Sequence, residues 1–290
     1  MPTRVTKQKP TTVARSPDTQ KELSSNGVQQ VGIKLNVYGR GKTGKTRLAC
    51  TFPKPLLLIG TEDGTRSVCT NRRPKPPHKH IYELLIGGEP TGVDFVRLER
   101  SQDIEELVKL SGYNSYGLDN AGGLQDIILK EILGLDEIPI QKTWGMAERS
   151  HWITCGAQTK ERLRSIIDLA DQQGKNVVII AHERNFDESG DSEVTIPSIG
   201  SALTPAVAAW LNGACDYICQ TFIREHIEQR TSKIGGKEVT TNVRTGKHDY
   251  CLRTGPHSVY MTGFRLPPEA KLPDMIVDPN YQKILRIIQG

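Results

Sequence analysis

Gly39-Arg40-Gly41-Lys42-Thr43-Gly44-Lys45-Thr46 is the stretch on which the reading of the fold turns. It meets the spacing GxxxxGK[ST] in full. Glycines free the backbone to curl until successive N–H groups converge on one point, where phosphate oxygens fit. A helix starting at Thr46 would aim its positive end at the same point. The Lys45 ammonium is long enough to reach β- and γ-phosphates, and the Thr46 hydroxyl can ligate Mg²⁺. The loop therefore predicts ATP and Mg²⁺ as ligands. The expected nucleotide contacts are Gly39, Arg40, Gly41, Lys42, Thr43, Gly44, Lys45 and Thr46, with Arg47 just beyond.

The surroundings of the loop suit it. Val31, Ile33, Leu35 and Val37 alternate with other residues and lead into Gly39, as a strand entering a tight turn does. Residues 46–49 open a helix that stops near Pro53. Leu56-Leu57-Leu58-Ile59 and Asn176-Val177-Val178-Ile179-Ile180-Ala181 are short, nearly continuous apolar runs, as in strands covered on both faces. Residues 95–98 and 116–119 supply two further strands. Helical periods fall between them, at 103–110, 124–132 and 159–173. Strands alternating with helices predict an α/β fold with a mostly parallel central sheet. After residue 215 the pattern changes to antiparallel strands at 217–227, 239–243, 250–253 and 259–264, with Gly235-Gly236 as a hairpin turn. Residues 71–92 and 184–200 read as surface loops.

Residues 1–29 are rich in Thr, Ser, Gln, Lys and Pro and are expected to form a disordered basic tail. Residues 30–270 form the expected domain, and 271–290 a tail with a short helix. No apolar run approaches the roughly 20 residues of a spanning helix, which argues against a membrane protein. The six cysteines form no CxxC pair. Cys215 and Cys219 are spaced as a zinc half-site would be, but lack a second pair, so they read as buried thiols. A reducing, cytoplasmic setting follows.

A phosphate loop needs a carboxylate on a neighbouring strand to hold the metal, and a group to orient water. Asp119 ends the 116–119 strand and is the candidate metal ligand beside Thr46. A helix cap is its other reading. Glu62 and Asp63 follow the second strand, and either could accept a proton from attacking water. They could equally be turn residues. His182 follows the strongest strand directly and could contact the γ-phosphate, or be a surface histidine.

Taken together, these segments resemble a known group. Ile59-Gly60-Thr61-Glu62-Asp63-Gly64-Thr65-Arg66 is similar to the segment carrying the catalytic glutamate of RecA-like recombinases. Leu118-Asp119-Asn120 stands where their Walker B aspartate stands. Val177 to Glu183, ending Ala-His-Glu, resembles phage-type RecA-like ATPases, including the Sak-type single-strand annealing proteins. Arg253-Thr254-Gly255-Pro256 and Tyr260 to Pro267 are similar to their C-terminal strands. The resemblance spans about 31–268 and implies a RecA-like P-loop core. It also implies Glu62 as catalytic base, His182 as γ-phosphate sensor, and Arg265 as a basic residue reaching a neighbouring subunit's nucleotide. Residues 183–200 would correspond to the DNA-contacting loop. Two departures stand out. Gly263 replaces a lysine often found before that arginine, and residues 184–193 are acidic, which repels phosphate.

The net charge of +5 permits a nucleic-acid partner without demanding one. Arg72 to His80 carries no acid, and a second basic region runs from Arg224 to Lys247 with Phe222 and Tyr250 nearby. Either could be a single-strand groove or a solvated face. The sequence thus predicts a Mg²⁺-dependent ATPase of DNA recombination, repair or single-strand annealing. It would act as a homo-oligomer (ring or filament) with single-stranded DNA as its partner. A non-catalytic nucleotide switch and a small-molecule phosphotransferase are the competing readings.

Overall fold

A computed structural model describes residues 32–137, 147–186, 198–234 and 237–290. The expected N-terminal tail, the Gly235-Gly236 turn and most of the 184–200 loop lie outside them.

The sheet is built around β1 (Lys34–Gly39), which enters the phosphate loop. The other central strands are β2 (Leu56–Gly60), β6 (Ser115–Asp119), β7 (Asn176–Phe186) and β9 (Tyr217–Ile234). With β5 (Glu89–Arg97) they run parallel in the order β9-β1-β7-β6-β2-β5. One strand, β7, therefore separates the phosphate-loop strand from the strand that ends in Asp119. Antiparallel strands extend both edges. On one side lie β4 (His78–Ile86) and β3 (Asn71–Lys75), and on the other β10 (Lys237–Arg253) and β12 (Met275–Val277). The chain is a mixed α/β fold with a mostly parallel central sheet, as the strand–helix alternation predicts.

Side chains alternate between two cores, one per face. On one face Leu57, Ile59, Leu118, Val177 and Ile179 pack under α3 (Ala121–Leu133), α4 (Arg149–Gln173) and α5 (Pro205–Ala214). On the other, Leu35, Val37, Leu56, Leu58, Val178 and Ile180 pack under α1 (Lys45–Ala49) and α6 (Tyr281–Gln289). Both faces are covered, as a parallel sheet requires.

Several expectations are corrected. Residues 71–92 are not a loop but most of the β3-β4-β5 meander. Its outer strand is polar and contains Pro74, which an edge strand tolerates because its N–H side need not pair. The 103–110 helix shrinks to a 3₁₀ turn at Ser101–Asp103 and a single turn, α2 (Ile104–Leu107). The strands at 239–243 and 250–253 are one strand, β10, continuing past a register shift between Arg244 and His248. Of residues 259–264 only β11 (Gly263–Phe264) and a bridge from Tyr260 to Ile199 are sheet. The Thr262 hydroxyl instead donates to the Gly255 carbonyl at 2.6 Å and bends the segment back. The 271–290 segment carries its short helix, and Ile284 on that helix is fully buried. No helix among the described residues is long and apolar enough to cross a membrane.

Candidate functional site

The parallel strands end level with one another. Gly39 pairs with His182 across β1 and β7, Asp119 with Ile180 across β6 and β7, and Gly60 with Asp119 across β2 and β6. This register puts the phosphate loop, His182, Asp119 and the turn after Gly60 on one sheet edge. It is the carboxyl edge, where ligands of open α/β sheets bind. There they line a cleft of about 610 Å³ that includes Gly41, Lys45, Thr46, Glu62, Asp119 and His182. Arg47 also lines it.

The loop's curl needs its glycines. Gly44 has φ 90°, and a Cβ at Gly39 (φ 156°) would stand 2.4 Å from the Thr221 hydroxyl oxygen. Lys42 also has a positive φ of 64°. Thr43 anchors the curl sideways, its hydroxyl lying 2.7 Å from that of Thr221 on β9. Lys45 is buried and donates to the carbonyls of Gly39 (2.8 Å) and Arg40 (2.6 Å). An ammonium has three N–H groups, so one is left to meet a phosphate. Burial pulls its pKa below the ordinary lysine range, opposed by Asp119 and Glu183.

The Thr46 hydroxyl donates to Asp119 Oδ2 at 2.6 Å. A hydroxyl and a carboxylate in contact are a hard-oxygen donor pair, which suits Mg²⁺ held by few protein groups plus phosphate oxygens. Burial pushes the Asp119 carboxyl above the usual range, against the pull of the Thr46 hydrogen bond and Lys45. The helix-cap reading falls to the next residue, since Asn120 Oδ1 accepts from Gly123 N at 2.7 Å. The strand of Asp119 lacks an aliphatic run, yet it is buried. Its Ser115 hydroxyl is satisfied by the Pro53 carbonyl at 2.7 Å.

Glu62 and Asp63 part company. Glu62 lines the phosphate cleft, where Asn120 Nδ2 approaches its Oε1 at 3.5 Å. Asp63 faces a second cavity of about 740 Å³ and is held by Arg72 of β3 at 2.7 Å. That guanidinium, followed by the Thr65 hydroxyl, holds the Asp63 carboxyl below the usual range. Of the two candidates, only Glu62 faces the phosphate loop.

Arg40, on the loop's outer turn, donates to Glu183 at 2.8 Å, and Glu183 also accepts from Gln220 at 3.2 Å. The residue after His182 is thereby tied to the phosphate loop. β7 continues to Phe186 and pairs antiparallel with β8 (Ser198–Ser201). Residues 187–197 of the expected DNA loop lie outside the described residues.

Arg265 is elsewhere. It donates to Asp216 at 2.8 Å and to the Gly213 carbonyl at 2.7 Å. Asp216 sits beside Lys34, the first residue of β1, so Arg265 lies at the opposite end of the strand from the loop. Five residue steps along the strand separate those ends by about 17 Å, so Arg265 does not join its own chain's cleft.

Five cations of the basic stretches are compensated by acids among the described side chains. Arg72 pairs with Asp63, Arg73 with Glu83, Lys75 with Asp94, Arg224 with Asp249 and Arg244 with Glu225. Phe222 is covered by the Arg253 guanidinium at 4.9 Å, while Tyr250 lines the phosphate cleft. Cys215 and Cys219 are buried. Burial pushes the Cys215 thiol up to about 12 and Cys219 well above its ordinary value, as inert core thiols behave. Among the described residues no group of three or more His, Cys, Asp or Glu could hold a metal unaided.

Comparison with known proteins agrees with this geometry. The model of the AAA_24 family, described as an AAA domain, matches residues 31–266. No curated protein matches the sequence. Among solved structures, the flagellar accessory protein FlaH from Methanocaldococcus jannaschii is similar over 92% of each chain, at 10% identity and a TM-score of 0.40. The fold follows from the strand order and the family match. With its phosphate loop, its hydroxyl–carboxylate pair and a family match running from before β1 to past β11, the chain belongs to the AAA_24 family of P-loop ATPase domains.

Proposed function

We propose that this protein hydrolyses ATP by in-line attack of water on the γ-phosphate. The reading is carried by one observation, the 2.6 Å contact of Thr46 with Asp119 in the cleft that Glu62 lines. Lys45 and the loop amides hold the phosphate chain. Glu62 orients water and takes its proton. Bound Mg²⁺, held by Thr46 and Asp119, would neutralise charge on the phosphate oxygens. His182, at the strand end between them, contacts the γ-phosphate and reports it through the adjacent Glu183. ATPase rates of the wild type and of Glu62→Gln test this. Binding without turnover is expected of the variant, whereas unchanged turnover rejects the assignment.

The work driven by hydrolysis is recombination, repair or annealing of DNA, with single-stranded DNA bound by an assembly of copies. This rests on the resemblance to phage-type RecA-like ATPases and on the β7–β8 pairing that begins just after His182, at Glu183. Within a ring or filament, Arg265 would serve a neighbouring copy's nucleotide after leaving Asp216. ATPase rate and sedimentation with and without oligothymidylate, over a salt series, test this part. If DNA alters neither rate nor assembly, the DNA role is wrong while the ATPase stands. The Arg40–Glu183 tie favours the second reading, a nucleotide switch. In that case Glu62→Gln would leave partner binding and turnover nearly unchanged.

A further inference from the structure

The phosphate cleft is polarised about β1. On one side β7, β6 and β2 deliver His182, Asp119 and Glu62, the groups suited to the metal and to the terminal phosphate. On the other side β9 and β10 deliver Thr221 and Tyr250. A triphosphate with its γ end toward the acidic side must leave the loop toward the aromatic one. The nucleoside end of the substrate therefore meets the wall that carries Tyr250.

That wall is built as a platform. A Cβ placed on Gly44 would lie 3.3 Å from Tyr250 Cδ1, so the ring sits directly against the phosphate loop. It is nevertheless 39% exposed, so one side of the ring remains open. Ile223 pairs with Tyr250 across the two strands and is 43% exposed. Directly paired residues share one face of a sheet, so ring and aliphatic chain form one apolar surface. The backbone beneath is fixed, because the Tyr250 carbonyl accepts from Asp278 N at 2.7 Å and Cys251 pairs with Val277 of β12. A rigid, partly exposed ring beside a phosphate site suits a flat heteroaromatic partner, since every nucleobase has a π-face to stack.

Resting on the ATPase reading above, we propose that Tyr250, flanked by Ile223, is the stacking surface for the nucleobase of the bound triphosphate. Stacking reads ring area and not the hydrogen-bonding edge. The surface accordingly favours purine over pyrimidine triphosphates and separates ATP from GTP little.

Calorimetric titration tests the proposal, using Mg²⁺ with a non-hydrolysable imido analogue of ATP and, separately, Mg²⁺ with inorganic tripolyphosphate. Tyr250→Ala should weaken the nucleotide analogue roughly tenfold and leave tripolyphosphate unchanged. Tyr250→Phe and Tyr250→Trp should restore the nucleotide affinity, which also controls for misfolding of the alanine variant. Two results overturn the assignment. One is a Tyr250→Ala protein that binds the analogue within twofold of the wild type. The other is equal loss for both ligands, which would make Tyr250 a phosphate contact or a structural prop. A wild type that binds neither ligand would reject the phosphate-loop reading itself, and the stacking surface with it.

Discussion

Single residues in the cleft carry predictions of opposite kinds. Glu62→Gln keeps a similar shape and removes the base, so nucleotide binding should persist while turnover falls about 100-fold or more. Single-turnover hydrolysis alongside a binding titration separates the two. Asp119 makes a pH prediction. Burial raises its carboxyl, so the folded state holds that proton more tightly than the unfolded chain does. Its contribution to stability therefore falls as pH rises from the ordinary carboxylate value through the raised one, and is flat beyond. Thermal melts without nucleotide should show Asp119→Asn gaining on the wild type across that window. The same variant should lose Mg²⁺-dependent nucleotide affinity by about tenfold or more. At this scale the sequence was legible wherever chemistry is local. The loop from Gly39 to Thr46 reads directly, because neighbouring amides make the site. From their own residues Glu62 and Asp63 could not be told apart and only the resemblance favoured Glu62, because what separates them is Arg72, delivered by a strand read as a loop. Tyr250 reaches the cleft from more than 200 positions away and leaves no local signature there.

Among the elements, the buried parallel strands and the C-terminal β10 strand were legible, and the β3–β4 edge was not. β2 and the first half of β7, Asn176 to Ala181, are nearly uniform aliphatic runs because both faces are covered. β3 and β4 alternate poorly, since their outer positions face water and hold Arg, Lys and His in place of apolar residues. α2 was overestimated because a helical period in sequence does not reveal where packing ends. The energetic contrast between elements is testable. The Arg72–Asp63 pair is about two-fifths exposed on each side, so Arg72→Ala should cost no more than about 1 kcal/mol. Ile284 on α6 is fully buried against the face that also holds Leu48 and Phe52, and the Tyr281 ring meets Phe52 edge-on at 5.0 Å. Ile284→Ala should therefore cost about 2–5 kcal/mol. Denaturant unfolding measures both, and comparable costs would mean that α6 contributes little to the core.

Over the whole molecule, ligand linkage gives a global check. A ligand bound only by the folded chain at 100 times its Kd should add about 2.7 kcal/mol of stability. MgATP should thus raise the melting temperature, and chelating the metal with EDTA should remove much of the gain. The β3–β4 edge was the least legible part of the architecture, because its polar strands carry no apolar run to mark them. The phosphate-loop strand itself depends on partners distant in sequence. β1 is hydrogen-bonded to β7 at Val177 and to β9 at Tyr217, both more than 140 residues later. Such long-range pairing forms late in folding. A fragment ending near residue 170 would contain the complete nucleotide signature and no working site. The motif is a set of instructions that only the distant half of the polypeptide can execute, and grafting or excising it alone should yield an inert peptide.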